Sequence, residues 1–317
     1  MAVITPATER VTTVTAAQLA SRIEIPTQLP PHYNDGQPMH HLSQSSIGLF
    51  YRCPEAFRRR YICGEKGPAS GEMFLGSVVD KTLGHYHQTR LDTNELLPLD
   101  ELQEFYRRTW QEQREREEAD RGIDWSELHS QAAHEIGLEG IGVALKELVP
   151  QLGRPVAVQR KLEFALTPKC QWVVQGYIDL ETEVEQLGQE HPTNLVVDYK
   201  VKGDPLQQNK ADQDLQASLY LTGRWIEGNR AEAFWWPQLL RPGKNRSKIG
   251  SKITRTQRTV GQMRAVRMRI AQAANSIVAS YERYGPERPW PFADPGSWSC
   301  SRKYCFAYDR CPGGAGL

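Results

Sequence analysis

The chain has 317 residues, of which 39% are apolar and 24% charged, and its mean hydropathy is −0.58. This mixture excludes global disorder and fibrous repeats, and no apolar run approaches the roughly 18 to 20 residues of a bilayer crossing, so a soluble, non-exported protein with a sizeable core is expected. The net charge of +1 hides a segregation: ten Lys or Arg between Arg241 and Tyr281 meet no Asp or Glu, while the rest of the chain carries 29 basic against 38 acidic residues.

Residues 1–40, rich in Thr, Ala and Pro, lack periodicity and read as an arm. Ser43, Ser45 and Ser46 then form an N-cap cluster before Ile47, Phe50, Cys53, Phe57 and Tyr61 at helical spacing, with Pro54 predicting a break at Cys53. A second helix is expected from Gly76 to about Gln88. Residues 98–121 read as a solvated helix of mixed charge and 125–149 as a more apolar one, so that about 90–152 form a helical insertion. From Val156 the period changes to strands over 156–166, 172–182 and 195–201. A helix over 212–227, a strand over 231–239, a basic loop over 241–258 and a helix over 259–284 follow. The segment from about 285 to 317 is rich in Pro, Trp and Cys. The expected organisation is one domain over 41–317 behind the arm.

Two of the strands carry acids. Gly176-Tyr-Ile-Asp179 lies in one, and Val197-Asp198-Tyr-Lys200 ends the next, nineteen residues later. A hairpin would bring two carboxylates and an ammonium to one end, with Asp198 and Lys200 on the same face by strand alternation. Two carboxylates can hold a hard cation such as Mg²⁺, and a lysine can orient water or stabilise charge at a phosphate, an arrangement suited to phosphodiester hydrolysis. Taken alone, the same residues would also serve as turn caps beside a solvated lysine.

The ordered set resembles the PD-(D/E)XK nuclease superfamily in its RecB/AddB-like branch, which includes CRISPR-adaptation and phage-type exonucleases. Ser43-Gln-Ser45 through Cys53-Pro54-x-x-Phe57 resembles the opening helix, the two Asp strands resemble the active-site strands, and Asp214-Leu-Gln216-Ala-Ser-Leu-Tyr220 resembles the Gln-x-x-x-Tyr helix. The resemblance implies an α/β fold with a central mixed β-sheet flanked by helices. It implies Asp179, Asp198 and Lys200 as catalytic residues and Mg²⁺ or Mn²⁺ as the metal. Where the family has Gly-x-x-x-His, this chain has Gly76-x-x-x-Asp80, which replaces a nitrogen ligand by an oxygen one and places Asp80 beside Asp179 and Asp198 as a metal ligand. His85 and His87 do not share the helix position of residue 80 and read as surface or core residues. Glu163, Gln216 and Tyr220 match positions that support the ligands or touch DNA, with ordinary packing as the alternative.

Cys300, Cys305 and Cys311 crowd the end of the chain, and the resemblance supplies Cys53 as a fourth partner for a [4Fe-4S] cluster that joins the chain ends. The Cys-x4-Cys gap departs from the family's Cys-x2-Cys, and four thiolates suit Zn²⁺ equally. Buried or disulfide-bonded cysteines are the other reading, and Cys63 and Cys170 read as core or spare cysteines. In the basic segment Lys244, Arg246, Lys248, Lys252 and Arg255 offer salt-dependent, sequence-independent attraction to DNA, or a solvated surface; Trp235 and Trp236 read as core.

The resulting expectation is a cytoplasmic DNA exonuclease of a bacterial cell or phage-infected host. It would act on ends or single strands in recombination, repair or phage DNA metabolism, with a recombination or replication protein as a further partner. The alternative is an inactive DNA-binding scaffold of the same fold.

Overall fold

The structure is a computed structural model that describes Met39 and residues 41–166, 172–185, 191–229, 231–243 and 246–314. Apart from Met39, the arm expected over 1–40 lies outside the described residues, as do Cys170 and Lys244.

After β1 (His41–Leu42), helix α1 (Gln44–Arg52) starts where Ser43 and Ser46 form a reciprocal capping box. Cys53 ends α1 in an extended conformation, and its thiol accepts from Ala56 N at 3.4 Å to cap α2 (Pro54–Phe57), which continues through a π turn at Arg58–Ile62. The break expected at Pro54 is therefore a recapping. β2 (Ala69–Ser70) leads into α3 (Gly71–Thr93), which begins five residues before the expected Gly76 because Ser70 supplies the cap. Gly71 fits there because a Cβ would lie 2.7 Å from the Trp125 ring.

Helix α4 (Leu99–Asp120) is not solvated all round: Leu102, Tyr106, Trp110 and Gln113 form a buried stripe. β3 (Ile123–Asp124) pairs with β2, and α5 (Ser130–Val143) packs beside α4, where Gly137 leaves room for Tyr106.

The central sheet is mixed. β4 (Arg154–Ala165) runs antiparallel to β5 (Val173–Val184), which runs antiparallel to β6 (Thr193–Val197). The strand expected over 195–201 is interrupted at Asp198 and Tyr199 and resumes as β7 (Lys200–Lys202). Helices α6 (Gln208–Asp212) and α7 (Leu215–Ile226) follow. β6 and β7 then lie successively along one side of β8 (Ala233–Leu240), both parallel to it, and Asp198 N bridges the gap by donating to Trp235 O at 3.0 Å. Residues 250–256, expected as loop, form the antiparallel edge strand β9 (Gly250–Thr256) on the other side of β8. All eight residues of β8 are buried, as befits the strand between two partners. Helix α8 (Val260–Tyr284) opens on a Thr259–Gln262 capping box.

Two cores result. One packs α1, α7 and α8 with Val174, Ile178, Val196, Phe234 and Trp236; the other packs α3 to α5 with Leu180, Leu195, Val197, Ala233 and Trp235. Trp235 and Trp236 are thus both core residues, on opposite faces of β8.

Candidate active site

Strand alternation inverts where the site forms. Leu162 and Ile178 belong to the core under α7, whereas Leu180 belongs to the core under α3, with Val158 packed against it. Arg160 pairs with Ile178 and Val158 with Leu180, so the switch falls at Gln159 and Asp179. Gln159 has a φ of 47°, a left-handed backbone conformation uncommon outside glycine. Asp179 thereby sits where β5 crosses from one face to the other.

Asp198 occupies the corresponding interruption between β6 and β7. Its Oδ1 accepts from Gln216 Nε2 at 2.8 Å, and its Oδ2 faces the Lys200 ammonium as an ion pair without receiving a hydrogen bond of good geometry. Helix α3 brings Asp80 to the same place, where Oδ2 accepts from Gln159 Nε2 at 3.1 Å. The Asp179 carboxyl is hydrogen-bonded to those of Asp80 and Asp198.

The electrostatics follow from this crowding. Burial, reinforced by the Asp198 and Asp80 charges, pushes the Asp179 carboxyl up to about 9, and burial with the Asp198 charge pushes Asp80 up to about 6. For Lys200, burial works downward, but the Asp198 carboxylate, then Asp179 and Asp80, outweigh it and raise the ammonium's pKa. Three acids therefore share one ammonium at close quarters.

The helix after the strands supports this cluster. Asp214 caps α7, Gln216 points at Asp198, and Tyr220 lies against Gly176, where a Cβ would be 2.8 Å from the phenol ring. Gly176 and Tyr220 thus require each other. Burial, then the Asp198 and Asp179 charges, push the Tyr220 phenol up to about 12. On the opposite face His87 Nε2 lies 2.7 Å from Tyr199 OH, and burial drives this imidazole down to about 3, so it is neutral. His87 is a core residue that props Tyr199, between the two active-site side chains. His85 stacks on Phe105.

The sequence matches the PD-(D/E)XK nuclease superfamily over residues 41–312, which is most of the chain. The chain belongs to that superfamily. The crystal structure of a "Putative exonuclease" from Eubacterium rectale is similar with a TM-score of 0.47 at 14% identity, covering 83% of this chain and 87% of that one. No curated protein matches.

Membership implies nuclease chemistry and, in this superfamily, a divalent cation. The donor set fits Mg²⁺ or Mn²⁺: three crowded side chains offer hard carboxylate oxygens with a single ammonium among them, and their mutual repulsion favours a cation. No group of three or more His, Cys, Asp or Glu side chains among the described residues forms a ready metal cage. Mg²⁺ characteristically uses one or two carboxylates and completes its shell with water and substrate phosphate.

The cysteines behave differently. Cys53, Cys300, Cys305 and Cys311 line one cavity of about 40 Å³ together with Phe292, Tyr304 and Tyr308. Burial, and after it the neighbouring thiols, raise the pKa of Cys300; at Cys305, burial and the other three thiols outweigh a backbone hydrogen bond at Ala307 that works downward, so its pKa is raised too. These sulfurs nonetheless form no metal-holding group among the described residues, so the expected [4Fe-4S] or zinc centre is not supported. Cys53 Sγ is also engaged as the cap of α2, where it accepts from Ala56 N.

The nuclease-type DNA surface expected in the basic segment is also thinned. Arg246 donates to Gly203 O and Arg241 O at 3.1 and 3.0 Å, and the Arg255 guanidinium lies over Trp235 at 4.3 Å. Lys248 and Lys252 remain exposed. Glu163 is not brought to the carboxylates; it pairs with Lys161 at 2.8 Å and accepts from Gln175 on the outer part of the hairpin. Gln159 was invisible to sequence reasoning, because nothing local marks a glutamine for positive φ.

Proposed function

We propose that this chain is a metal-dependent DNA nuclease, acting as an exonuclease on DNA ends or single strands in recombination, repair or phage DNA metabolism. The observation that carries the reading is the meeting of Asp179 and Asp198, from adjacent strand breaks, with Asp80 from α3 and Lys200 two residues on.

Asp179 and Asp198 would hold Mg²⁺ or Mn²⁺, with Asp80 as a further oxygen ligand. The bound cation would offset charge on the scissile phosphate and lower the pKa of a water. Lys200, kept protonated by its acidic neighbours, cannot accept a proton; it orients the attacking water through a lone pair and stabilises charge on the phosphoryl oxygens. The water oxygen bonds to phosphorus as the ester P–O bond breaks, the water's proton leaves to solvent and the departing oxygen takes one up. Gln216 holds Asp198 in its rotamer, and Gln159 does the same for Asp80. Lys252 lies opposite Gln238, itself opposite Lys200, so it is two strand spacings, about 10 Å, away and suited to a neighbouring phosphate.

The test is cleavage of end-labelled single- and double-stranded DNA with Mg²⁺ or Mn²⁺. Wild type should shorten DNA from its ends and Asp198→Ala should not; DNA binding without metal-dependent cleavage by wild type would overturn the reading.

A further inference from the structure

Two of the elements that carry the carboxylates, β5 and α3, also present large apolar side chains to solvent. On β5, Ile178 is buried in the core under α7, so Tyr177 points to the opposite side, and Asp179, at the face switch about 7 Å further along the strand, opens to that same side, where it reaches Asp80 of α3. Tyr177 is 56% exposed there, although it is aromatic and lies within a strand. Its backbone is held from below by Tyr220, so the ring stands on a rigid support. Its cross-strand neighbour is Lys161, also exposed.

The other element is α3. Met73, Gly76 and Asp80 are spaced i, i+3 and i+7 and share one face of that helix. Met73 is 63% exposed, and a Cβ on Gly76 would meet nothing within 4 Å. Asp179 and Asp80 therefore each share an element with an exposed large apolar side chain, Tyr177 on β5 and Met73 on α3, with open space at Gly76.

An intact duplex presents phosphates and groove edges to such side chains and hides its base faces; an unpaired strand offers base faces at every nucleotide. We infer that Tyr177 is a stacking residue for an unpaired base next to the phosphate held at Asp179, and that the site selects single-stranded DNA ends. Met73 supplies a softer apolar contact from α3. Lys161 can exchange its Glu163 partner for a DNA phosphate beside the stacked base. This deepens the nuclease reading and rests on it for the identity of the ligand.

Binding in EDTA separates the two claims, because it needs no catalysis. Fluorescence anisotropy of labelled oligo(dT) and of a blunt duplex would be compared for wild type, Tyr177→Ala and Tyr177→Phe, alongside cleavage of both DNAs with Mg²⁺ or Mn²⁺. Tyr177→Ala should bind oligo(dT) about 10-fold more weakly, within the range of one lost base stack, while Tyr177→Phe binds like wild type and duplex affinity is unchanged. Equal oligo(dT) affinity for Tyr177→Ala and wild type, or an equal loss on duplex, would overturn the inference. If no protein cleaves DNA yet the EDTA pattern appears, the nuclease reading fails and the stacking assignment stands.

Discussion

Two carboxylate sites in this molecule, both desolvated, have opposite electrostatics. Glu55 is fully buried, and its two oxygens accept from Arg58 Nε and Nη2, Arg59 Nε and Trp290 N at 2.7 to 2.8 Å. Burial alone would raise its pKa, but these donors and the Arg58 charge outweigh it and hold the carboxyl below its ordinary value. Asp179 is half-buried and has other acids as neighbours, and its pKa moves up to about 9. Burial is common to both, so the sign of the partners decides. Glu55 is a finished clamp between the N-terminal helices and the tail. The aspartate cluster has acceptors to spare and is arranged for a cation and a phosphate.

The comparison breaks most sharply by substitution. Asp198→Ala should lower DNA cleavage by about 10³-fold or more without lowering the unfolding midpoint, since it relieves crowding among acids. Glu55→Ala should do the reverse, costing about 3–5 kcal/mol in urea unfolding because two arginines lose a buried partner, while the folded fraction keeps its turnover. Gln216→Leu removes one positioning hydrogen bond and should reduce activity about 10-fold, with a higher Mg²⁺ requirement in titration.

A smaller effect is the pH dependence, which has opposite signs at the two sites. Asp179 binds its proton more tightly in the folded chain, so its contribution is present at low pH and is lost as pH rises from the ordinary carboxylate range through about 9. In EDTA the unfolding free energy should therefore decline between pH 6 and 9, by at most about 1.4 kcal/mol per unit, and Asp179→Asn should flatten the decline. Glu55, with a lowered pKa, contributes above the ordinary carboxylate range and loses that contribution as pH falls through its folded value. Glu55→Ala should accordingly leave the alkaline decline intact while reducing the loss of stability in acid.

Much of this was legible along the chain because it is local. The Ser43 cap, the recapping at Cys53, the hairpin carrying Asp179 and Asp198, and the Asp214 cap of α7 each depend on a few adjacent residues. The basic segment misled because Lys252 and Arg255 obscure the inward Ile253 and Thr254 of β9; charges are common on an edge strand that must discourage further pairing. The polar helix α4 misled similarly, since only one residue per turn faces its core. For the cysteines, the chain ends do meet, yet proximity in one cavity is not coordination geometry.

The amino-acid pattern alone determined the order of elements and which residue types could carry phosphodiester chemistry, because helix and strand periods and caps are read within a turn or a few strand positions. Only the tertiary structure decided that Gln159 adopts a left-handed backbone opposite Asp179, that Arg246 and Arg255 are spent internally, and that Tyr177 stands exposed beside the carboxylates. Those outcomes depend on where two strands change face and on what packs across them, contacts between residues far apart in sequence whose free energies no local pattern encodes.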